Sequence, residues 1–267
     1  MKVEIEKTAD GSPTLYRNDI DEHYHSVKGA LEESRHVYVD LGWKKTAQHF
    51  DPVILFEVGF GTGLNAALTA RAAMDSGIRT IYYSVELYPL PKETTDSLLP
   101  YQGEGYRGEF QAVNEAGWGE SVEINPFFTL IKIQANLLEM TLPANITAVY
   151  FDAFAPEKQP EMWTEDIFRK IYNSMIPGGI LTTYCAKGCI RRMLQGIGFI
   201  TERLPGPPGG KREVLRATKR DKGNLDANFD GNDIRVALDS HGIIPNVCHN
   251  RRNGGQPKQE LSLFRRI

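Results

Sequence analysis

The stretch Pro52–Ala70, PVILFEVGFGTGLNAALTA, constrains the fold of this chain more strongly than any other. It begins with a short apolar run, Val53–Val58, whose β-branched residues predict a buried strand. The glycine turn, Gly59–Gly63, follows at once, and a helix is predicted from Leu64 onward. Glycines let the backbone bend sharply and approach a ligand closely. A strand, a glycine turn and a helix N-terminus therefore predict a nucleotide-type pocket.

The residues around the glycine turn discriminate between ligands. A dinucleotide-binding turn needs a glycine at position 64, which is Leu64, and a phosphate-binding loop needs a lysine that this turn lacks. Glu57 places a carboxylate beside the turn, which disfavours a pyrophosphate and favours a ligand that carries an ammonium and a sulfonium. The pattern Glu-x-Gly-x-Gly-x-Gly after a strand is similar to that of S-adenosylmethionine-dependent methyltransferases; a tight turn without a ligand is the alternative. The cofactor residues predicted here are Glu57, Gly59, Gly61, Thr62, Gly63 and Asn65.

Two later strand ends supply further cofactor candidates. The apolar run Thr80–Val85 is followed by Glu86 and Leu87. In glycine-turn nucleotide folds, an acid at the end of the second strand binds the ribose hydroxyls, and a carboxylate can accept two such hydrogen bonds. A strand predicted at Leu130–Gln134 precedes Asn136, at a position that commonly meets the adenine. We therefore predict that all three residues after these strands contact the cofactor; for the glutamate, an ordinary surface position is the alternative.

Composition limits the class of protein. At 267 residues, with 41% hydrophobic and 24% charged residues, the chain suits one α/β domain with additions. It shows no apolar leader and no run of about 18 apolar residues, so we expect neither secretion nor a membrane span. The three cysteines are few and odd in number, which favours a reducing compartment, and we expect the cytoplasm. Because the net charge is −3, any nucleic-acid binding must come from a local patch.

Histidines cluster in the polar stretch 21–36, which contains His23, His25 and His36. The first two are two residues apart and would point to opposite sides of a strand. We therefore predict no metal site, and interpret this stretch as a solvated or pocket-covering segment.

Predicted strands and helices alternate along the chain, which indicates an α/β fold with a mostly parallel, doubly wound sheet. Two short strands, Lys2–Ile5 and Thr14–Arg17, predict an N-terminal β hairpin extension. The stretch Tyr101–Asn125 is interpreted as a helical lid or insertion. The seven strands expected in the sheet are Val53–Val58, Thr80–Val85, Leu130–Gln134, Ile146–Phe151, Gly179–Tyr184, Phe199–Arg203 and Val214–Ala217.

This order of elements predicts three regions. Residues 1–50 form an N-terminal extension that covers the cofactor pocket, and residues 51–220 form the methyltransferase domain. Residues 221–267 are polar, add no strand that the sheet needs, and contain one predicted short helix, Asn232–Ser240. Their sequence resembles a fragment of a DDE-type transposase, so we expect a fused tail that is not native to the enzyme. A partner-binding appendage is the alternative.

A short block, Asp152-Ala-Phe-Ala-Pro156, follows the predicted strand Ile146–Phe151. In an open α/β sheet, ligands bind in the crevice at this end of the strands. Asp152 can hydrogen-bond an amine and receive its proton, and the ring of Phe154 can stack on a base, which contributes about 1–3 kcal/mol. Pro156 stiffens the loop. The alternatives are a helix or turn cap for the aspartate and a core position for the phenylalanine.

Four sequence blocks carry a resemblance to one family: LEESRHVYV at 31–39, GFGTGLN in the glycine turn, DAFAPEKQPEMW at 152–163 and GPPGGKRE at 206–213. They closely resemble the tRNA 5-methylaminomethyl-2-thiouridine methyltransferases, which form the methyltransferase half of the bifunctional MnmC proteins and are called MnmD when free-standing. The resemblance implies a Rossmann-like class I methyltransferase fold, with Asp152 as the catalytic acid. It also implies N-methylation, from S-adenosylmethionine, of the 5-aminomethyl group of the wobble (thio)uridine in tRNA.

The chain departs from this family in two respects. Asn136 stands where the family usually has an aspartate, and it can still donate to and accept from the adenine. No flavin-binding oxidase follows residue 217, so we expect methylation alone, without a flavin.

A basic stripe between residues 187 and 220, with nine basic residues against two acids, is predicted to meet tRNA phosphates. A solvated charged face is the alternative. Lys211 and Arg212 are the best candidates for reaching the anticodon arm. The competing functions are a small-molecule amine methyltransferase, a polyamine-synthase-like aminopropyl transferase and an inactive binding module. The substrate-binding residues predicted are Pro156, Lys187, Arg191, Lys211 and Arg212.

Overall fold

The computed structural model describes residues 3–208 and 212–220, and it begins with a small antiparallel sheet. Its strands are β1 (Val3–Lys7), β2 (Pro13–Arg17) and β3 (Glu22–His23). β1 and β2 pair antiparallel, which confirms the predicted hairpin, and the short β3 adds to the free edge of β2.

The main sheet has eight strands, one more than the sequence predicts. From one edge to the other the order is β10-β11-β9-β8-β4-β5-β7-β6 when the strands are numbered along the chain. The five strands from β9 to β7 in this order are parallel, and the other three pair antiparallel at the two edges. This arrangement confirms the mostly parallel α/β class. The strands are β4 (Val53–Val58), β5 (Thr80–Glu86), β6 (Ser121–Asn125), β7 (Phe128–Gln134), β8 (Ile146–Phe151), β9 (Met175–Thr183), β10 (Phe199–Leu204) and β11 (Val214–Lys219).

Helices connect these strands and cover the sheet. A helical segment at residues 30–47, called the N-terminal helix below, combines α1 (Ala30–Glu33), a π-helical stretch (Ser34–Trp43) and α2 (Lys44–Ala47). The later helices are α3 (Leu64–Ser76), α4 (Lys92–Leu98), α5 (Arg107–Glu115), α6 (Glu165–Ser174) and α7 (Gly188–Ile197), with short 3₁₀ turns at Leu99–Tyr101 and Pro160–Met162.

The additional strand, β6, lies in the stretch Tyr101–Asn125, which the sequence predicts as a helical lid or insertion. α5 occupies the middle of this stretch. The last five residues of the stretch, Ser121–Asn125, form β6 and pair antiparallel with β7. Val122 and Ile124 alternate with other side chains and pack against the core, as in an edge strand. The pattern is short and interrupted by a bulge, so it does not stand out from the Gly- and Glu-rich sequence around it.

The N-terminal helix is fixed against the sheet by two large side chains. Trp43 is almost fully buried, and its Nε1 donates a hydrogen bond to Thr80 Oγ1 at 2.9 Å. Tyr38 is also buried and packs against Tyr150 of β8, with ring centroids 5.2 Å apart. This packing brings residues from the first fifth of the chain to the carboxyl ends of β4 and β8.

Within residues 3–208 and 212–220, no helix is both long and apolar enough to cross a membrane. The predicted short helix Asn232–Ser240 and the rest of residues 221–267 lie outside the described residues.

Candidate active site

A cavity of about 580 Å³ opens at the carboxyl ends of β4, β5, β7 and β8. Ligand pockets span about 300–1,000 Å³, and this edge of an open α/β sheet is where ligands bind. The structure therefore brings most of the predicted cofactor and catalytic residues to one place. The predicted residues that line the cavity are Gly59, Gly61, Asn65, Glu86, Leu87, Asn136, Asp152, Phe154 and Arg212.

The glycine turn packs tightly against the loop that follows β8. Gly59 has a φ of +90°, and a Cβ at this position would lie 2.8 Å from the carbonyl oxygen of Asp152. Gly61 has a φ of +51°, and its N–H donates to Glu86 Oε2 at 3.3 Å. Only glycine meets both the conformation and the close approach, so the turn holds β4, β5 and β8 close together.

Glu86 ends β5 at the edge of the cavity. Its Oε1 accepts a hydrogen bond from the Tyr88 N–H at 3.0 Å, and its Oε2 accepts the bond from the glycine turn. The carboxylate is thus oriented by backbone donors on both sides. It retains further acceptor capacity for hydroxyl groups in the cavity.

Asp152 lies directly after β8 and is held by two side chains. Tyr38 OH donates to Oδ1 at 2.6 Å, and Asn65 Nδ2 donates to Oδ2 at 2.8 Å. Burial raises the pKa of this carboxyl to about 6, although both hydrogen bonds act in the opposite direction. At pH 7 the group is therefore mostly ionised, yet it is more basic than an ordinary aspartate and better suited to accept a proton.

Glu57 lies behind the cavity wall rather than on it. The side chain is fully buried, and it accepts hydrogen bonds from Ser84 Oγ at 2.6 Å and from Asn65 Nδ2 at 3.1 Å. Burial raises its pKa to about 8, so the group is mostly protonated at pH 7. Glu57 is not among the residues that line the cavity, and its hydrogen bond with Asn65 connects it to Asp152. Its predicted contact with the cofactor stays a prediction.

Phe154 lines the cavity beside residues of the N-terminal sheet. Its ring meets Tyr24 edge to face, with centroids 5.2 Å apart, and the Arg17 guanidinium carbon lies 5.5 Å from its centroid. Trp163 Nε1 donates to the Phe154 carbonyl at 2.7 Å and fixes the backbone of the loop. The ring is half-buried, so it borders the cavity rather than the core.

Asn136 follows β7 and lines the cavity, while its amide is bonded within its own loop. Oδ1 accepts from the Leu138 N–H at 3.1 Å, and Nδ2 donates to Glu139 Oε1 at 3.1 Å.

Other predicted residues do not line the cavity. Thr62 and Gly63 are buried where α3 begins, and Gly63 adopts the left-handed conformation that starts this helix. Pro156 is buried in the loop after β8. Lys187 forms an ion pair with Glu157, so its charge is partly neutralised.

Two more of the predicted substrate residues lie away from the cavity or outside the described chain. Arg191 lies on α7 and donates to Gln195 at 3.4 Å. Lys211 falls outside the described residues.

The N-terminal segment contributes further residues, of which the sequence analysis named only His25, as a member of the histidine cluster. Tyr24, His25 and Glu33 line the cavity, and Tyr38 reaches Asp152. Burial lowers the pKa of His25 to about 4, so its ring is neutral at pH 7. Spacing along the chain could not reveal these contacts, because Tyr38 and its partner are separated by 114 positions. The polar stretch 21–36, predicted as solvated or pocket-covering, and the family-like block at 31–39 both pointed to this segment, but neither identified these contacts.

In the part of the chain that the structure describes, no group of three or more His, Cys, Asp or Glu side chains could hold a metal ion.

Known proteins resemble this chain in sequence and in fold. A family model described as S-adenosyl-L-methionine-dependent methyltransferase matches residues 119–220. The tRNA 5-methylaminomethyl-2-thiouridine biosynthesis bifunctional protein MnmC of Pseudomonas syringae pv. syringae is 34% identical over 217 residues, which cover 75% of this chain and 32% of the relative. The MnmC of Marinomonas sp. is 31% identical over 220 residues, which cover 77% of this chain and 32% of that relative. The chain thus spans about one third of the length of these relatives.

Solved structures show the same fold. The crystal structure of MnmC2 from Aquifex aeolicus superposes with a TM-score of 0.67 at 26% identity, covering 81% of this chain and 70% of that one. Spermidine synthase from Thermotoga maritima superposes with a TM-score of 0.55 at 14% identity, covering 81% and 69%, and this likeness concerns the fold alone. Together, the family model, the relatives and the fold confirm the resemblance predicted from the sequence, and residues 119–220 match the family of S-adenosyl-L-methionine-dependent methyltransferases.

Proposed function

We propose that this chain transfers a methyl group from S-adenosylmethionine to the 5-aminomethyl group of the wobble uridine, or its 2-thio form, in tRNA. The observation that carries the proposal is the position of Asp152: a half-buried carboxyl, held by Tyr38 and Asn65, in the same cavity as Glu86. The names of the relatives support tRNA as the substrate.

The residues of the cavity suit S-adenosylmethionine. The Glu86 carboxylate can accept the ribose hydroxyls, while the glycine turn gives the ligand close access to the backbone. Leu87 and Asn136 lie on the two adjacent strand ends, where they can border the adenine. When bound, the cofactor supplies a methyl group: its C–S bond breaks, with the electron pair left on sulfur, as a C–N bond forms.

Asp152 can accept a proton from the substrate ammonium group, which leaves the nitrogen neutral and nucleophilic. An alkylamine has a pKa near ~10 and is mostly protonated at pH 7, whereas the nucleophile must be neutral. The Asp152 carboxylate can accept the surplus proton, since its own pKa is raised toward neutrality. Phe154 offers a ring against which the uracil can stack. Alignment of the reacting atoms can supply a further ~7–11 kcal/mol.

The contact with the anticodon arm is proposed for the loop before β11. Arg212 lines the cavity and is exposed, so it can reach both the site and a bound RNA. Arg203 and Arg216 pair with Glu213 and Glu202, which reduces the net charge of the stripe. We infer that tRNA phosphates bind other cations of the stripe, among them Arg191 and, outside the described residues, Lys211, and that this binding weakens as salt is added.

We also propose a division of labour along the chain. The hairpin and the N-terminal helix cover the cofactor cavity, because residues 17–33 form one of its walls. Residues 221–267 are not required for methyl transfer, so a chain ending at Arg220 should retain it. We propose that the protein acts in the cytoplasm, where tRNA substrates are found.

The test of the proposed function is methylation of tRNA taken from cells that lack this activity. After incubation with the protein and S-adenosylmethionine, nucleoside analysis should show 5-aminomethyl-(2-thio)uridine converted to its methylaminomethyl form. Putrescine and other small amines serve as competing substrates, with decarboxylated S-adenosylmethionine as an alternative donor. Turnover of the small amines without conversion of tRNA would contradict the proposal and favour a small-molecule amine transferase.

A further inference from the structure

A second acidic side chain faces the cavity from the N-terminal helix. Glu33, the last residue of α1, lines the same cavity as Asp152. Its Oε1 accepts a hydrogen bond from the Ser26 N–H at 3.0 Å. Among the residues that the structure describes, no donor reaches the other oxygen, Oε2, which leaves it available to a ligand.

The π-helical stretch explains how Glu33 reaches the site. Residues five apart in an α-helix point about 140° apart, whereas the i→i+5 bonds of a π-helix bring such residues close to one face. Glu33 and Tyr38 are five apart, and Tyr38 donates to Asp152 at 2.6 Å. The helix therefore directs an acceptor and a donor toward the same end of β8. Long π-helical stretches are rare, and π-helical turns are frequent at functional sites.

The charges in this part of the cavity favour a cation. Burial and the negative charge of Asp152 raise the pKa of Glu33 to about 7, and Arg212 acts in the opposite direction. Two carboxyl groups close together in a buried site resist ionising together, and a bound ammonium removes that conflict. Two cations that line the cavity already have partners, since Lys158 donates to the Ile20 carbonyl at 2.8 Å and Arg17 pairs with Asp19.

We propose that Glu33 is a specificity-determining residue, which accepts one hydrogen bond from the substrate amino group while Asp152 accepts another. A neutral primary amine has two N–H bonds and one lone pair, so two acceptors fix both N–H bonds and orient the lone pair. The arrangement selects an aminomethyl substituent over one without nitrogen. The inference rests on the proposed function and adds the group that recognises the amine.

The test compares the binding of two RNAs that differ only in the amine. Anticodon stem-loops carrying either 5-aminomethyluridine or uridine at the wobble position are titrated against the protein by fluorescence anisotropy, with S-adenosylhomocysteine present to prevent turnover. The wild type should prefer the aminomethyl RNA. In Glu33→Gln the preference should shrink roughly 10- to 100-fold, because a neutral amide, a weaker acceptor whose nitrogen can only donate, replaces the carboxylate. Affinity for the uridine RNA and for S-adenosylmethionine should be unchanged.

The matched control is Asp40→Asn. Asp40 lies on the same helical segment, pairs with Lys44 at 2.7 Å and is absent from the cavity wall, so this variant should keep the full preference. In turnover assays, Glu33→Gln should raise the KM for aminomethyl tRNA more than it lowers kcat. The variant Glu33→Asp, which keeps a shorter carboxylate, should give an intermediate preference.

The outcomes separate the two claims. If the wild type methylates aminomethyl tRNA but Glu33→Gln keeps the full preference, the role of Glu33 is wrong and the proposed function stands. If the wild type neither prefers nor methylates the aminomethyl RNA, the proposed function itself fails. Should Glu33→Gln not fold, Glu33→Asp decides the matter, and an undiminished preference there would overturn the inference.

Discussion

At the scale of single residues, the chemistry proposed for Asp152 depends on its two donors. Tyr38 and Asn65 each hold one carboxylate oxygen, and both bonds lower a pKa that burial has raised. Asn65 Nδ2 also donates to Glu57, so one amide connects an ionised acid with a mostly protonated one. The basicity of the reacting carboxylate is therefore set by neighbours on two distant parts of the chain.

Tyr38→Phe removes one donor and leaves the ring in place. Because the lost hydrogen bond favoured the ionised form, the pKa of Asp152 should rise and the acid limb of the kcat/KM–pH profile should move to higher pH. Activity should fall roughly tenfold at pH 6 and much less at pH 8. Tyr106→Phe is the control, since it removes a buried hydroxyl that donates to Gln102 at 3.1 Å, away from the site. An acid limb that stays where it is in Tyr38→Phe would exclude this role.

At the scale of elements, the junction between β4 and α3 positions the site. The glycine turn crosses the loop after β8 so closely that backbone contacts, rather than side-chain contacts, determine the distance between the turn and this loop. The same turn delivers a backbone N–H to Glu86. A change in the turn should therefore affect both the stability of the fold and the geometry of the site.

Gly59→Ala tests this junction. The new Cβ would lie 2.8 Å from the Asp152 carbonyl at a φ of +90°, so the free energy of unfolding should fall by about 1–3 kcal/mol, and S-adenosylmethionine should bind more weakly. Gly196→Ala is the control, because Gly196 lies in α7 with no atom within 4 Å of the added Cβ. That variant should gain about 0.5–1 kcal/mol. Denaturant unfolding and calorimetry measure both effects, and equal stabilities for the two variants would contradict the account.

Prediction from sequence succeeded where the signal was local. The glycine turn, the strand ends and Asp152 were found because each follows an apolar run at a fixed spacing, and all of them meet at one sheet edge. Contacts that depend on packing were missed: Tyr38 reaches the site over 114 positions through a helix whose pitch the sequence does not reveal. For Glu57 the pattern shows the position in the strand but not that the side chain is fully buried behind the cavity wall.

At the scale of the whole molecule, two acids with raised pKa values, one fully buried and one half-buried, make stability depend on pH. The pKa values of Glu57 and Glu33 are raised to about 8 and about 7 in the folded protein, mainly by burial. The folded state thus holds more protons than the unfolded state up to about pH 8, and stability falls as pH rises through this range. His25, with a pKa lowered to about 4, acts in the opposite direction below its unfolded pKa of ~6.5. Between about pH 6.5 and pH 8, the two acids therefore determine how the free energy of unfolding changes with pH.

Thermal unfolding should show this dependence directly. From about pH 6.5 to pH 8 the free energy of unfolding should fall, with a contribution from Glu57 of at most about 1.4 kcal/mol per pH unit. Glu57→Gln should flatten the slope in this window, because the group that must release its proton is gone. A control variant, Glu123→Gln, changes an exposed glutamate of β6 and should keep the wild-type slope. A slope equal in all three proteins would show that the buried acid does not contribute.

The most direct measurement is methyl transfer to tRNA that carries 5-aminomethyluridine, made in parallel with calorimetric titration of S-adenosylmethionine, for the wild type, Asp152→Ala and Glu86→Gln. The account predicts that the wild type converts the nucleoside, and that Asp152→Ala loses turnover while binding the cofactor within about threefold of the wild type, a difference under about 0.7 kcal/mol. Glu86→Gln should instead lose cofactor affinity. An Asp152→Ala variant that still methylates the RNA, or that loses cofactor binding as steeply as turnover, would contradict the central claim.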